Sequence, residues 1–366
     1  MAIYEAFIRP LLFQLDAEWV HDRTIGLCET LGRIKGFRRL VAQLCTFSDL
    51  RLKMEACGIT FPNPIGLAPG YDKNGRAVEF LSALGFGFIE IGSVSYYPSR
   101  GNPKPRLFRL PKDRALVVNY GLPNDGARVV ADRLKGKKLS LPLGINVVKT
   151  NRGVTEPPES DEEVVSEYVS AVRSLKDLGD YLCLNLSCPN TKDGREFFRD
   201  KGRIRLLLDA LRDLDIRRPL FLKVSPVGGV RAIEEVLEAA EDFAFVSGFV
   251  FNLPPGKPDH LVTPAPIVSQ MPGAVSGKPI EGLINDCIRE MYRRMDRTRY
   301  VIIGSGGVFT AEDAYRKIRL GSSLVQILTS LVYHGPTIAK RLNRGLCYLL
   351  ERDGFKNVAE AVGTYR

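Results

Sequence analysis

The sequence has no CxxC pair, no grouping of histidine with cysteine, and no GxGxxG opening a helix after its first apolar strand. Its 7 cysteines (28, 45, 57, 183, 188, 287 and 347) are scattered and odd in number. Neither a disulfide framework nor a structural zinc is therefore expected, and the pattern fits a reducing compartment. The 3 histidines, His21, His260 and His334, lie far apart, so no histidine-based metal site is expected. No apolar run reaches the ~18 residues of a membrane span, and no secretory signal pattern is present. There is no internal repeat and no low-complexity tract. The missing dinucleotide fingerprint leaves a doubly wound open sheet as the runner-up architecture only.

What is present is ordinary in bulk. With 45% hydrophobic and 26% charged residues, the 366-residue chain reads as globular: one large α/β domain with an appendage, or two domains. Formal charge is +10, from 52 basic against 42 acidic side chains. Nucleic acid, an anionic membrane surface or an acidic substrate would each suit that sign. The basic residues are dispersed and no aromatic-interleaved basic module appears, so nucleic acid is not expected as a partner.

Residues 1–45 read apart from 46–366. Ile3, Phe7, Leu11, Leu12 and Leu15 recur at near-helical spacing. Asp16 is placed as an N-cap for a second amphipathic stretch carrying Val20, Ile25, Leu27, Leu31 and Ile34. A basic cluster with an aromatic inside it, Lys35-Gly-Phe-Arg-Arg39, follows. Two readings stand: a helical hairpin packed on the main domain, or a surface lying on a membrane with Lys35, Arg38 and Arg39 near anionic headgroups. The second places the protein peripherally on the cytoplasmic side of a membrane; the first leaves it soluble in the cytoplasm.

From about residue 60 a strand–loop–helix rhythm sets in. Short apolar strands are predicted at Ile65–Leu67, Phe88–Ile91, Leu143–Val147, Tyr181–Leu184, Leu220–Val224, Gly248–Phe251, Val301–Ile303 and Leu324–Ile327. Helical patterns separate them, such as Asp161–Leu178, Ala232–Ala240, Glu281–Met295 and Ala311–Leu320. Eight such units fit a (β/α)8 TIM barrel, α/β in class, whose usual size is ~250 residues, here with an N-terminal helical extension.

Barrel active sites are built at the C-terminal ends of the strands, and there the chain becomes chemically specific. The first strand is followed by Ala68-Pro-Gly-Tyr-Asp-Lys-Asn-Gly75 and the second by Gly92-Ser-Val-Ser95, while the third carries Asn146. The fourth opens into Asn185-Leu-Ser-Cys-Pro-Asn190, which gathers two amides, a hydroxyl and a thiol. Amides there can pin a planar amide-rich ligand while the thiol takes a proton; the bland alternative is a polar turn with a buried cysteine. The fifth ends on Lys223, the sixth on Asn252, the seventh in Gly304-Ser-Gly-Gly307, and the eighth before Thr329-Ser330. The loops after strands seven and eight are the recurrent phosphate site of barrels, where glycine lets backbone N–H groups approach an anion. Lys73, Lys149 and Lys223 together suggest an electron-rich ring and anionic groups at the mouth.

These motifs resemble the dihydroorotate dehydrogenase family. The resemblance rests on Pro64–Gly75, Gly101–Leu110, Asn185–Thr191, Gly304–Gly307 and Leu324–Pro336, in the right order over nearly the whole chain. The N-terminal extension with His21 resembles the membrane-associated, quinone-using class. The resemblance implies FMN, dehydrogenation of a dihydropyrimidine ring in pyrimidine biosynthesis, and reoxidation by a quinone. It assigns flavin contacts to Ala68, Gly70, Ser93, Asn146, Lys223, Ser276, Gly277, Gly306, Gly307 and Thr329. Lys73, Asn185 and Asn190 match positions touching both rings or the substrate, and Cys188 takes the place of the catalytic base. His21 and Arg109 match the quinone side.

Three departures accompany it. Cys188 stands where the quinone-using class usually has serine, which is chemically sound because a thiol ionises near 8.5. Val118 stands where a substrate amide is expected, with Asn119 one residue late, on the opposite face of an extended chain. Either the loop is re-formed so that Asn119 serves, or that bond is absent. Asn252-Leu253 replaces an Asn-Thr pair; two unpaired groups at ~1–3 kcal/mol each would weaken binding by ~100-fold or more. The expectation is therefore an FMN-dependent dehydrogenase acting on dihydroorotate. The same chemistry on another cyclic amide, and a non-catalytic scaffold, remain as alternatives. Removal of residues 1–45 is expected to spare flavin reduction by substrate while quinone turnover and membrane binding fall. If the cap only completes the core, the acceptor is a soluble one.

Overall fold

The computed structural model describes residues 3–153, 159–189, 191 and 197–365. Eight parallel strands close into a barrel: β1 (Ile65–Leu67), β2 (Phe88–Val94), β3 (Leu143–Val147), β4 (Tyr181–Asn185), β5 (Leu220–Val224), β6 (Val246–Phe251), β7 (Val301–Gly304) and β8 (Leu324–Ile327). They neighbour one another in chain order, β8 pairing β1 in register Val325–Ile65 and β5 pairing β6. The strands are almost wholly buried, as expected where helices cover the outside and side chains fill the inside.

Large and small residues alternate around the barrel interior. Phe88, Tyr181 and Phe221 put rings into it, with Tyr181 and Phe221 at 5.4 Å between centroids. Neighbouring strands carry glycine opposite these rings: a Cβ on Gly66 would lie 2.3 Å from the Phe88 ring, and one on Gly144 2.2 Å from that of Tyr181. Both glycines are dictated by the neighbouring ring, since no methyl group fits there.

Two additions frame the mouth. A three-stranded antiparallel sheet, Leu107–Leu110, Ala115–Val118 and Ala274–Gly277, brings together segments from the β2–β3 and β6–β7 connections. The N-terminal helices cover one side. Asp16 caps the helix Ala17–Gly32 by accepting from Trp19 N at 2.8 Å. Ile25, Cys28 and Cys45 join the barrel's own hydrophobic core, so the extension is anchored rather than tethered. Phe7 (68% exposed) and Leu11 (66%) stay in solvent, as do Trp19 and Leu27. Of the three cations expected at the rim, Lys35 and Arg39 are exposed. Arg38 is not available: it donates to Gly32 O and pairs with Glu79, both at 2.6 Å. Among the described residues no helix is long and apolar enough to cross a membrane.

Candidate active site

A buried polar network runs from inside the barrel to the strands' C-terminal ends. Glu90 of β2 accepts from Asn146 Nδ2 at 2.8 Å, Tyr181 Oη at 2.9 Å and Gln326 Nε2 at 2.5 Å. Asn146 Oδ1 accepts in turn from Ser93 Oγ, and Ser93 Oγ from Asn185 Nδ2 at 3.1 Å. Asn185 Oδ1 then accepts from Asn252 Nδ2 at 2.8 Å, and the Asn252 amide oxygen is closed by Leu253 N, also at 2.8 Å. Side chains from β2, β3, β4, β8 and the end of β6 thus orient one another, and such networks hold one arrangement because each lost bond leaves a buried group unpaired. Glu90 and Gln326 did not figure among the sequence candidates. Their signal was there, as lone polar residues inside otherwise apolar strands.

Above this network lies a cavity of about 480 Å³, within the range of small-molecule and cofactor sites. Ala68, Gly70, Lys223, Asn252, Ser276, Gly277, Gly306, Gly307 and Thr329 line one end. His21, Arg109, Leu12, Val20 and Leu27 line an apolar arm that continues under the N-terminal helices. At the polar end Gly306 (φ 74°) and Gly307 (φ 78°) take the left-handed conformation, and a Cβ on Gly307 would fall 2.4 Å from that of Glu281. Thr329 Oγ1 lies 3.1 Å from Ser276 Oγ. Ser330 Oγ and Gln326 Oε1 are buried on the same wall with no partner among the described residues. Both unpartnered atoms suit a phosphate-bearing heterocycle, the Ser330 hydroxyl donating to an oxygen and the Gln326 amide oxygen accepting from a ring N–H.

The three lysines do not converge. Lys223 lines the cavity, but Lys149 is ion-paired with Glu159, which Arg152 also approaches at 3.2 Å. Lys73 is not on the large cavity's wall: its Nζ lies 3.0 Å from His21 Nε2 and 4.1 Å from the centre of the Tyr120 ring. Burial draws the Lys73 ammonium down to about 8, against the pull of Asp22, Asp72 and Glu18. Burial, with Lys73 second, holds the His21 ring well below its usual range, so the imidazole is neutral. The loop that carries Lys73 is tied by Asp72, which accepts from the backbone N–H groups of Asn74, Arg76 and Ala77 at 3.3, 3.0 and 2.7 Å. Arg109 donates to Leu15 O at 2.7 Å and lies 4.8 Å over the Phe13 ring, while partial burial draws its pKa below the usual arginine range, against the pull of Asp16.

Cys188 (6% exposed) and Asn185 line a separate small cavity of about 30 Å³ together with Thr191, Tyr168 and Lys149. Tyr168 Oη donates to Asn185 O at 2.6 Å and steadies the start of this loop. Asn190 lies outside the described residues. The two cavities meet at the Asn185–Asn252 hydrogen bond. Asn119 does not line the large cavity: Leu116, Val118 and Tyr120 do, while Asn119 between them accepts from Asn102 Nδ2 at 3.1 Å. The two-residue period of extended backbone decides this. Leu253 is on the cavity wall as well.

Comparison with known proteins follows the same line. The family model described as dihydroorotate dehydrogenase matches residues 51–350. The chain is similar to the dihydroorotate dehydrogenase (quinone) of Natronomonas pharaonis, 42% identical over 366 residues that cover 99% of each chain. It is similar to that of Chloroflexus aurantiacus, 36% identical over 356 residues covering 94% of this chain and 96% of the other. Among solved structures it is similar to DHODH from Eimeria tenella in complex with ferulenol, with a TM-score of 0.83 and 28% identity over 95% of each chain.

Proposed function

The chain belongs to the dihydroorotate dehydrogenase family, of the quinone-using type, and we propose that its cavity holds FMN while dihydroorotate is oxidised to orotate and a quinone takes the electrons. The observation that carries the reading is the cavity of about 480 Å³, which joins a glycine cradle for an anion to an apolar arm. Relatives matched over nearly their full length bear this name, which favours dihydroorotate over a changed ring and an enzyme over a scaffold.

FMN supplies the hydride acceptor when bound. Gly306, Gly307, Thr329 and Ser330 would hold its phosphate, and Ala68, Gly70, Ser93, Asn146, Lys223, Ser276 and Gly277 would face the rest. Cys188 takes the proton from the ring carbon beside a carbonyl, and its burial keeps water from competing. Asn185, Asn190 and Asn252 would hold the ring edge. Lys73 contributes positive charge beside it, stronger for being buried. Val118 and Leu253 contribute only apolar area. The quinone reaches the apolar arm past His21 and Arg109. The exposed apolar side chains of the first helices, with Lys35 and Arg39, suit a peripheral seat on an anionic bilayer.

The test is direct. Purified protein should be yellow, bleach with dihydroorotate in the absence of oxygen, and recover its colour on adding a short-chain quinone. Protein that takes up no FMN, or that keeps its colour with dihydroorotate, would defeat the reading.

A further inference from the structure

The helix Ala17–Gly32 does two things at the barrel mouth. Its inner face lines the apolar arm through Val20, His21, Thr24 and Leu27. His21, and Glu18 three residues before it on the neighbouring turn, also reach the segments that carry Lys73 and Arg106.

Glu18 is 4% exposed and takes Arg106 in a fork, Nη2 to Oε1 at 2.8 Å and Nε to Oε2 at 3.2 Å. Lys104 Nζ stands 3.2 Å from the same carboxylate. The remaining hydrogen bonds of Arg106 go to backbone carbonyls: Arg100 at 2.7 Å, Asn102 at 2.8 Å and Tyr120 at 3.4 Å. One buried ion pair therefore clamps both ends of the segment 100–120, which delivers Val118 and Tyr120 to the cavity wall. His21 acts on a second element. Lysine has three donors and no acceptor, so at 3.0 Å it is the His21 Nε2 that accepts from Lys73. The ring is braced edge-on against Tyr71, two residues before Lys73, at 5.3 Å and 88°. Lys73 is thereby held over Tyr120, the last residue of the clamped segment.

We propose that Glu18 and His21 are positioning residues for the oxidation of dihydroorotate, so that the helix walling the quinone arm also fixes Lys73 and the segment 100–120 at the substrate end. This rests on the reading of Lys73 and Cys188 given above. Two consequences follow. Cutting the chain after residue 45 removes two supports of the substrate side, so flavin reduction should not survive it unchanged. Any shift of this helix when quinone enters is also felt by Lys73.

The experiment uses full-length, flavin-loaded protein without quinone, so that loss of a quinone contact cannot account for the result. Flavin bleaching by dihydroorotate is followed anaerobically by stopped flow, and orotate binding by titration calorimetry. Glu18→Gln should weaken orotate binding and raise the dihydroorotate concentration for half-maximal bleaching by about tenfold, the equivalent of one hydrogen bond to a charged group. His21→Leu should slow bleaching at saturating dihydroorotate by about tenfold on the same ground. His21→Gln, which carries an acceptor near the Nε2 position, should restore most of the rate, whereas His21→Asn should not. The Gln and Asn pair makes the comparison even where His21→Leu does not accumulate folded. Wild-type bleaching and orotate affinity in these variants, with quinone turnover alone reduced, would overturn the proposal. Cys188→Ala serves as the separate control: full-rate bleaching there refutes the assignment of the base, whatever His21 and Glu18 do.

Discussion

Removing the Glu90 carboxylate measures what holds the barrel mouth in shape. Three buried donors end on it: Asn146 Nδ2 and Tyr181 Oη at 2.8 and 2.9 Å, and Gln326 Nε2 at 2.5 Å. Glu90→Ala orphans all three at ~1–3 kcal/mol each, hence ~3–9 kcal/mol before any cavity cost. Against a total stability of ~5–15 kcal/mol, that is enough to unfold a large share of the molecules. Glu90→Gln is the graded partner. Its amide oxygen can keep Asn146, while its NH2 group faces the Tyr181 hydroxyl, which can turn to accept, and Gln326, whose Oε1 is unpartnered and can be flipped inward. What remains is the exchange of charge-assisted bonds for neutral ones about half as strong, so the expected loss is ~1–3 kcal/mol. The function follows the structure here. Asn146 oriented by Glu90 also orients Ser93 and, through it, Asn185, so both variants should retain less FMN than wild type. Urea unfolding gives the stability order and flavin absorbance per protein the loading. If Glu90→Ala unfolds at the wild-type midpoint with full flavin content, the polar network is not what fixes the site.

Other outcomes are open to measurement. Cys188→Ala should lose dihydroorotate-driven bleaching with FMN still bound, and Cys188→Ser should be slower with a pH optimum moved upward, since a hydroxyl ionises less readily than a thiol; stopped-flow rates across pH decide it, and unchanged profiles in both would place the base elsewhere. Lys317 is fully buried, donates to Asn285 Oδ1 at 2.8 Å, and is drawn by burial from 10.5 down to about 7. The unfolded chain therefore binds the extra proton between about pH 7 and 10, so this group makes stability rise with pH over that window. Lys317→Met should flatten the rise, gaining most over wild type near pH 7 and least near pH 10, as read from denaturation midpoints at each pH. Phe7→Ser with Leu11→Ser removes two exposed apolar anchors, each of ~1.5–3 kcal/mol if buried in lipid, so liposome cosedimentation should fall by about tenfold or more. Bleaching by dihydroorotate should stay at the wild-type rate, and unchanged liposome binding would remove the membrane seat.

The barrel was legible in the sequence because its strands are short apolar runs between amphipathic helices, a pattern set by local periodicity. β1, β3, β5 and β8 fall where the apolar runs place them. β2 and β4 run on into polar residues, to Val94 and Asn185, because pairing with the next strand continues past the apolar stretch. The alternation that turns Asn119 away from Val118 and Tyr120 was likewise present in the order of residues. The sheet Leu107–Leu110, Ala115–Val118 and Ala274–Gly277 was not, since four-residue strands carry little periodicity and one partner is more than 150 residues distant. Side-chain partners were decided only in three dimensions. Lys149 turns to Glu159, Arg38 to Glu79 and Lys73 to His21, although each reads in the sequence as a cation near a mouth or rim. Glu18 looks like any acid in a helix's first turn until the fold sets it against Arg106. A residue's type and spacing determine which face it occupies; which charge it meets there depends on elements far apart in the chain arriving within hydrogen-bond reach.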